Sequence, residues 1–521
     1  MTDDFEQRFA EESDKAIASE NIDTINTAID KLNALKSNLD EGLILSQVLY
    51  CLSNLHFTKA SIENEKIDQW RESVFPQNMV KSLNYVRQAY SMAIKFNSLQ
   101  ILDIQTNLAN NIRAFNRFIE AIHYYTFDYN FNLQIDSQYV APYNKACMLM
   151  LLKDLLSEQS ASIHYSYYAY NLIDKLNANQ EKITHTGIKN CMEKEAWVKN
   201  LLKWGSSVKL EYEKLNEQLN SIQYDNLEQK IYYSWCGQNK LFLNPINDVR
   251  TDIPAFEDTI QFPNYVVKIG EGPYYSAAFS DIKNRFCKAR YLLFNALNNP
   301  FPDWLEKGLN LTTVLEYEDY STNTEFIKVA IKLAFSTLDS LAALMKNYFE
   351  IDCKGKCYFN PSWIRKSFSN IQNPYIDALY WLSCDLTDTD NIEDWNAPNP
   401  SAGILRKLRN DLEHNWVRIS EATHTIWLGE HDYAMTCTLE QISTAALEVF
   451  RYVRTALIYF VLAVQFNEKL KNEKESDGLC VTMETPTYND LSSPIFNTYV
   501  CDTLKEKGVV YGCYIRKIEK S

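Results

Sequence analysis

Residues 408–414 read LRNDLEH and place an arginine, an asparagine and a histidine close together. A histidine titrates near neutral pH, so it can accept or donate a proton during a reaction. A guanidinium binds phosphate and stabilises negative charge that develops on it. Arg409, Asn410 and His414 are therefore our candidates for proton transfer and phosphate binding.

Helix geometry determines which of these side chains lie together. Arg406, Asn410 and His414 recur every four residues, so in a helix they share one ridge. We expect the Asn410 side chain to reach the imidazole and hold its tautomer. Arg409 and Glu413 lie on the adjacent ridge, where we expect them to pair.

One helix does not bring Arg409 and His414 onto the same phosphate. Five residues separate them, which corresponds to about 140° of rotation and ~7.5 Å of rise. A second copy of the helix across a two-fold axis would supply the missing group, so we expect a homodimer. Asp339 lies on an otherwise apolar helix, and such a charge needs a partner, so we expect it to pair with Arg409 or Arg406. Arg406, Asp339, Asp411 and Glu413 are the residues that we expect to support the three candidate catalytic residues.

The arginine–histidine spacing alone is a weak signal, because Arg117 to His123 and Arg418 to His424 also show it. The alternative for residues 403–418 is a solvated helix face with a capping histidine. That stretch carries four basic residues (406, 407, 409, 418) against two acidic ones (411, 413), within a chain of net charge -15. A local positive patch in an acidic chain favours RNA binding at this segment.

Four apolar helical patterns, one of which contains this segment, predict a four-helix bundle. Strand-like patterns at 423–428 and 433–438 predict a small β-hairpin insertion between the last two helices. The predicted helices are Glu325–Phe349, Asn373–Cys384, Ala402–Ser420 and Leu439–Lys471.

The N-terminal 220 residues show a second kind of pattern, in which small residues recur at helix contacts. Ala109 and Ala121 flank a turn at Asn116, and a partial match follows at Tyr143–Ala146. This spacing resembles the tetratricopeptide repeat (TPR), although Asn116 replaces the usual turn glycine; asparagine also tolerates left-handed backbone. An irregular helical bundle is the alternative for this half.

The LRNDLEH segment resembles the R-x4-6-H motif of the HEPN superfamily (higher eukaryotes and prokaryotes nucleotide-binding domain). The stretch from Trp235 to Asp248 and the helix with Arg290 add to a resemblance with prokaryotic proteins that fuse a repeat-containing half to a C-terminal HEPN domain. The resemblance implies a metal-independent endoribonuclease, commonly dimeric, in which His414 transfers a proton and Arg409 stabilises the phosphorane. It also implies 2′,3′-cyclic phosphate products and a role in phage defence or toxin-like growth arrest.

Composition limits the remaining possibilities. Only 13 glycines and 14 prolines occur in 521 residues, which favours helices over turn-rich folds. No apolar run is long enough for a membrane span and the first residues lack a signal-peptide pattern, so we expect a cytoplasmic protein without a membrane partner. Cys353, Cys357 and Cys384 offer only a weak zinc pattern, and five acidic residues between 385 and 394 read as a solvated loop. We therefore predict no metal and no cofactor.

The sequence thus predicts an all-α protein with four parts, which are a TPR-like array (1–222), a connector (223–300), a HEPN bundle (301–472) and an extension (473–521). We expect RNA as substrate and a protein trigger on the N-terminal half, since repeat arrays offer binding surfaces. That half is acidic, with 14 acidic against 6 basic residues in positions 1–70. The alternative function is a non-catalytic scaffold that binds protein or nucleotide.

Overall fold

The predicted all-α fold class is confirmed by the computed structural model. The residues described are 2–127, 137–156, 159–183, 185–220, 224, 226–267, 273–311, 318–353, 355–386, 400–420, 434–474 and 481–482. The helices are α1 (Thr2–Ala18), α2 (Ile22–Lys36), α3 (Leu43–Ile62), α4 (Gln77–Lys95), α5 (Ile101–Ala114), α6 (Phe118–Tyr124), α7 (Ser137–Lys153), α8 (Gln159–Ala178), α9 (Thr186–Lys194), α10 (Ala196–Asn220), α11 (Leu227–Gln238), α12 (Tyr274–Asn298), α13 (Thr322–Tyr348), α14 (Pro361–Phe368), α15 (Pro374–Leu386), α16 (Pro400–His414) and α17 (Leu439–Lys474). The strands are β1 (Val266–Val267), β2 (Trp416–Ile419), β3 (Ala434–Cys437) and β4 (Val481–Thr482).

Helices α1–α10 form the N-terminal half, in which most helices pack on their neighbours in the chain. Ala109 on α5 and Ala121 on α6 are fully buried, as the small-residue pattern requires. Asn116 between them has φ 59°, the left-handed conformation expected at this turn. This packing fits an array of helical pairs, and its assignment to the TPR family stays a prediction.

Helix α10 is one continuous helix of 25 residues although a glycine lies within it. This glycine is Gly205, and a Cβ there would come within 2.0 Å of the Tyr170 ring. The glycine therefore allows close packing of α10 against α8 and does not end the helix.

Helices α13–α17 form the C-terminal bundle around α17, which contacts α13, α15 and α16. Helix α12 packs along α13 and also touches α17. The four predicted helices are present as α13, α15, α16 and α17.

Helix α16 ends at His414 and not near Ser420 as predicted. The next residues form β2, because Val417 and Ile419 are buried and β-branched side chains favour extended backbone. The β insertion between the last two helices is present, with β2 paired to β3 in parallel from Trp416–Ala434 to Ile419–Cys437 and not as an antiparallel hairpin. The predicted strand at 423–428 lies outside the described residues.

Helix α15 joins the two halves, and its side chains from Tyr375 to Leu386 are buried. Asp377 accepts a hydrogen bond from Trp70 Nε1 at 2.9 Å and pairs with Arg71 at 2.6 Å. The Trp381 indole packs edge-on against aromatic rings of the N-terminal half at centroid distances near 5 Å. The N-terminal half is therefore packed against the core of the bundle.

The connector motif that contributed to the family resemblance has a structural role. Arg290 on α12 binds Asp258 at 2.7 Å and the Leu241 carbonyl at 2.8 Å. Asn247 Nδ2 donates to the Gly237 carbonyl at 3.0 Å. These contacts hold the segment after α11 against α12.

Candidate functional site

The Arg409 guanidinium is held by groups outside its own helix. Its Nη2 donates to Asp339 Oδ1 on α13 at 2.8 Å, and its Nη1 donates to the Phe359 carbonyl at 3.2 Å. The guanidinium also lies 5.5 Å above the Phe335 ring. The expected Asp339 partner is thus present, and it is a third exposed at 34%.

This arrangement replaces the expected pair between Arg409 and Glu413. Asp339 is itself fixed, because its Oδ1 also accepts the Phe359 N–H at 3.0 Å. Arginine has five N–H donors and two are used here, so three remain for a ligand among the described contacts. At 16% exposure, Arg409 is anchored yet accessible at its edge.

Asn410, Glu413 and His414 are exposed on the last turns of α16. Within the described part of the chain, no hydrogen bond joins Asn410 to His414, so the expected contact that would hold the tautomer is absent. The His414 imidazole is available to a substrate or a second protein chain.

The positive patch is smaller than the sequence suggests. Arg418 is buried at 1% exposure and pairs with Glu318 at 3.3 Å, because residue 418 belongs to β2 and not to a helix face. Asp411 is buried, with Oδ1 bound to Asn415 Nδ2 at 2.8 Å. Lys407 is exposed, and nothing is described for the Arg406 side chain.

The two other arginine–histidine spacings do not form comparable exposed sites. Arg117 is buried and binds Glu120 and Asp385, and His123 binds Asp248 at 2.9 Å. His424 lies outside the described residues.

The acidic stretch at 385–394 was expected to be a solvated loop, but its first member lies in the last turn of α15 and contradicts this. Asp385 is fully buried and binds Arg87 at 2.8 Å and Arg117 at 2.6 Å. These two arginines hold the pKa of its carboxyl well below the usual range against the opposing effect of burial. The other acidic residues, at 388, 390, 393 and 394, lie outside the described residues.

Sequence reasoning missed a set of buried charges that join the two halves. Asp377 and Asp385 on α15 and Arg454 on α17 are charges among apolar residues of their helices, which is the kind of signal that identified Asp339. Arg454 binds Asp248 at 2.7 Å, together with the carbonyls of Phe242 and Asn244. Applying the rule to every apolar helix would have identified these residues, but not their partners.

The part of the chain that the structure describes offers neither a metal site nor a membrane-spanning helix. No group of histidine, cysteine and acidic side chains is arranged to hold a metal ion in that part of the chain. None of the helices there is long and apolar enough to cross a bilayer.

The arrangement on α16 can bind a phosphate edge through Arg409 and exchange a proton through His414. Comparison with the curated proteins and with the solved structures finds no match. Among protein families, the model of the LA2681-like HEPN domain matches residues 266–467. The match includes α12, which the sequence analysis had placed in the connector, and it ends within α17. Residues 266–467 of this chain are a LA2681-like HEPN domain, whose α16 carries the LRNDLEH segment.

Proposed function

We propose that this protein is a metal-independent endoribonuclease whose catalytic residues are Arg409 and His414, assisted by Asn410. His414 would remove the proton from the ribose 2′-hydroxyl or protonate the leaving 5′-oxygen, and Arg409 would stabilise the phosphorane. The products would carry 2′,3′-cyclic phosphate ends. A nuclease function agrees with the HEPN domain match.

This proposal rests on one observation, which is that the fold buries and pairs some polar residues around α16 and leaves others exposed. Asp411 and Arg418 are buried and bind neighbouring side chains. Asn410 and His414 are exposed, and their side chains make no hydrogen bond to the described residues. Arg409 is fixed by Asp339 and keeps unused donors. A helix that needed these residues only for stability would pair them within the chain.

The deciding experiment incubates purified full-length protein with total RNA in excess EDTA. We expect cleavage to continue in the chelator and the new 3′ ends to resist poly(A) tailing until the cyclic phosphate is removed. We expect His414→Ala and Arg409→Ala each to reduce the rate at least 100-fold, the usual scale for loss of one acid–base or oxyanion group. Cleavage by both variants at the wild-type rate would refute the assignment.

The matched control is Lys288→Ala, an exposed change on α12 of the same domain. It should cleave RNA like the wild type. His414→Ala should also unfold like the wild type, within ~0.5 kcal/mol, because its side chain has no described partner. Equal stability with lost activity separates a catalytic role from a structural one.

The proposed active form is a homodimer in which two α16 helices face each other. Arg409 is directed towards α13 and His414 lies at the exposed end of α16. In this arrangement, Arg409 of one copy and His414 of the other would act on one phosphate.

We further propose that the N-terminal half recognises a protein trigger and regulates cleavage, in phage defence or in toxin-like growth arrest. Its acidic first 70 residues favour a basic or neutral partner over RNA. The contacts of Asp377 and Asp385 with that half supply a physical connection to α15, the helix that packs against α16.

The second candidate function is a non-catalytic scaffold that binds protein or nucleotide. The extensive burial of α15 against the N-terminal half favours it, because such a rigid unit suits a binding platform. RNA that stays intact with the wild-type protein under all trigger candidates, while the protein retains RNA or nucleotide binding, would favour this scaffold.

A further inference from the structure

A cavity of about 540 Å³ lies where the N-terminal half meets the HEPN domain. Its walls come from helices α4–α7, from the segment around residues 240–249 and from residues 448–455 of α17. We call it the junction cavity. Its volume is within the range of small-molecule sites, about 300–1,000 Å³. Arg409, Asn410 and His414 do not line it.

Among the described residues that line the junction cavity, six are lysines or arginines and three are acidic. All four arginines have carboxylate partners. The pairs are Arg87 with Asp385, Arg117 with Glu120 and Asp385, Arg451 with Glu448, and Arg454 with Asp248.

The remaining two cations, Lys145 and Lys240, have no carboxylate within ion-pair distance in the described part of the chain. To the described residues, Lys145 Nζ donates one hydrogen bond, to the Tyr125 carbonyl at 3.3 Å, and Lys240 Nζ donates one, to the Asn247 carbonyl at 2.8 Å. Burial, followed by the charge of Lys240, lowers the pKa of Lys145 to about 8. Burial also lowers the pKa of Lys240. Asp248 offsets part of this effect at Lys240, and an anion in the cavity would relieve the remaining repulsion between the two half-buried ammonium groups.

We propose that the junction cavity binds a phosphorylated small molecule of nucleotide size, with its phosphate groups at Lys145 and Lys240. Ammonium groups are common phosphate ligands because they place a compact charge and three donors at the oxygens. The Tyr90 and Tyr124 rings, 5.8 Å apart edge to face, both line the cavity and offer an aromatic surface to a base. A neighbouring cavity of about 400 Å³ shares Lys145 and Val249 and extends the available space.

The position of this site gives the ligand a role in the assembly of the two halves. Lys145 belongs to α7 of the N-terminal half, whereas Arg451 and Tyr452 on the opposite wall belong to α17 of the HEPN domain. A bound anion would neutralise charge on both walls and stabilise the contact between them. Binding of the ligand would therefore affect the HEPN domain through α17.

The test uses ATP and inorganic triphosphate as probes and the full-length chain. Isothermal titration calorimetry should give saturable binding of at least one probe to one site per chain. The double variant Lys145→Gln/Lys240→Gln should weaken that binding at least 10-fold. The matched control is Lys153→Gln on the same helix, which does not line the cavity and should bind like the wild type. Tighter binding of ATP than of triphosphate would identify a nucleotide, and equal binding would show that the phosphates alone are recognised.

Two results would overturn the inference. One is no saturable binding of either probe at up to 5 mM, and the other is binding that the double variant leaves unchanged. The double variant should fold, because it removes two poorly paired charges, and thermal unfolding without probe should show a midpoint equal to or above that of the wild type. The site is independent of the ribonuclease proposal, since His414→Ala should bind the probes normally.

Discussion

Arg409 depends on Asp339 for its position, whereas His414 depends on no other described side chain. The Asp339 carboxylate links the guanidinium to the backbone at Phe359 and so limits its rotation. A side chain that is already held in one geometry loses less conformational entropy in the transition state than a mobile side chain does. Asp339 is therefore a positioning residue in the proposed mechanism.

We predict that Asp339→Asn lowers the turnover number for RNA cleavage about 10-fold and changes the Michaelis constant by less than a factor of three. The reason is that Arg409 remains present but loses its charged anchor. In an Arg409→Ala background, the same Asp339→Asn change should have no further effect on turnover. Additive effects in this double-mutant cycle would mean that Asp339 acts only through stability.

At the scale of elements, α15 is the helix on which both halves depend. Its Asp385 joins α4 and the turn before α6, and Tyr452 OH of α17 also donates to it at 3.1 Å. Its Asp377 joins Trp70 and Arg71. Removing the N-terminal half would leave both carboxylates and a buried apolar face exposed, so intact chains are the appropriate material for functional tests.

We predict that Asp385→Asn lowers the free energy of unfolding by roughly 3 kcal/mol, because it removes the buried carboxylate charge that Arg87 and Arg117 share, although Arg117 keeps its pair with Glu120. Urea denaturation would measure the change. The control is Asp281→Asn, which removes an exposed ion pair with Arg285 on α12 and should cost less than ~1 kcal/mol. Similar losses in the two variants would contradict a special role for the Asp385 cluster.

At the scale of the whole molecule, the proposed dimer can be tested by mixing two variants that are each inactive alone. Arg409→Ala and His414→Ala chains should each be inactive alone. Mixed together, half of the dimers would contain both variants, and one of their two composite sites would be intact. We therefore predict that the mixture recovers about a quarter of the wild-type activity per chain, as expected for random pairing of equal amounts in a two-fold dimer. Sedimentation would verify the dimer, and a mixture as inactive as its components would rule out the shared site.

Acid should lower the free energy of unfolding, because buried histidines bind protons less readily in the folded chain than in the unfolded chain. Burial lowers the pKa of His56 to about 4, against 6.5 for an ordinary histidine. Between these two pH values the unfolded chain therefore binds more protons than the folded chain. Burial also lowers the pKa values of His123 and His164, which adds to the effect. Asp377 opposes it, because burial raises its pKa to about 6 and the folded chain then binds the extra proton.

We predict a net loss of unfolding free energy as the pH falls from 6.5 to 4.5, with His56 contributing on the order of 2 kcal/mol. His56→Gln should reduce the slope of stability against pH, since glutamine does not titrate; Lys59, Glu65 and Lys81 facing this position remain. Below pH 4 the loss should continue as Asp248, with a pKa of about 2, becomes protonated. Chemical denaturation at several pH values would measure both parts, and a flat profile in the wild type would contradict the prediction.

Local patterns were sufficient to predict the helical bundle and the LRNDLEH helix, because periodicity and lone charges act over a few residues. The Asp339 contact with Arg409 follows from the same rule, since a charge on an apolar face needs a partner. The end of α16 was wrong by several residues, because the pairing of Val417 and Ile419 with β3 overrides their helical pattern.

Only the tertiary structure decided which distant charges meet. Asp385 and Arg87 are 298 residues apart in the chain, and Asp377 and Trp70 are 307 apart. No pattern in the sequence pairs them, because a burial signal states that a partner is required and not which one it is. The junction cavity has the same origin, since Lys145, Lys240 and Arg451 come from separate segments and face each other only when α17 packs against the N-terminal half. The sequence by itself therefore determined the elements and the candidate catalytic residues, and the packing of α15 and α17 decided how the two halves are joined.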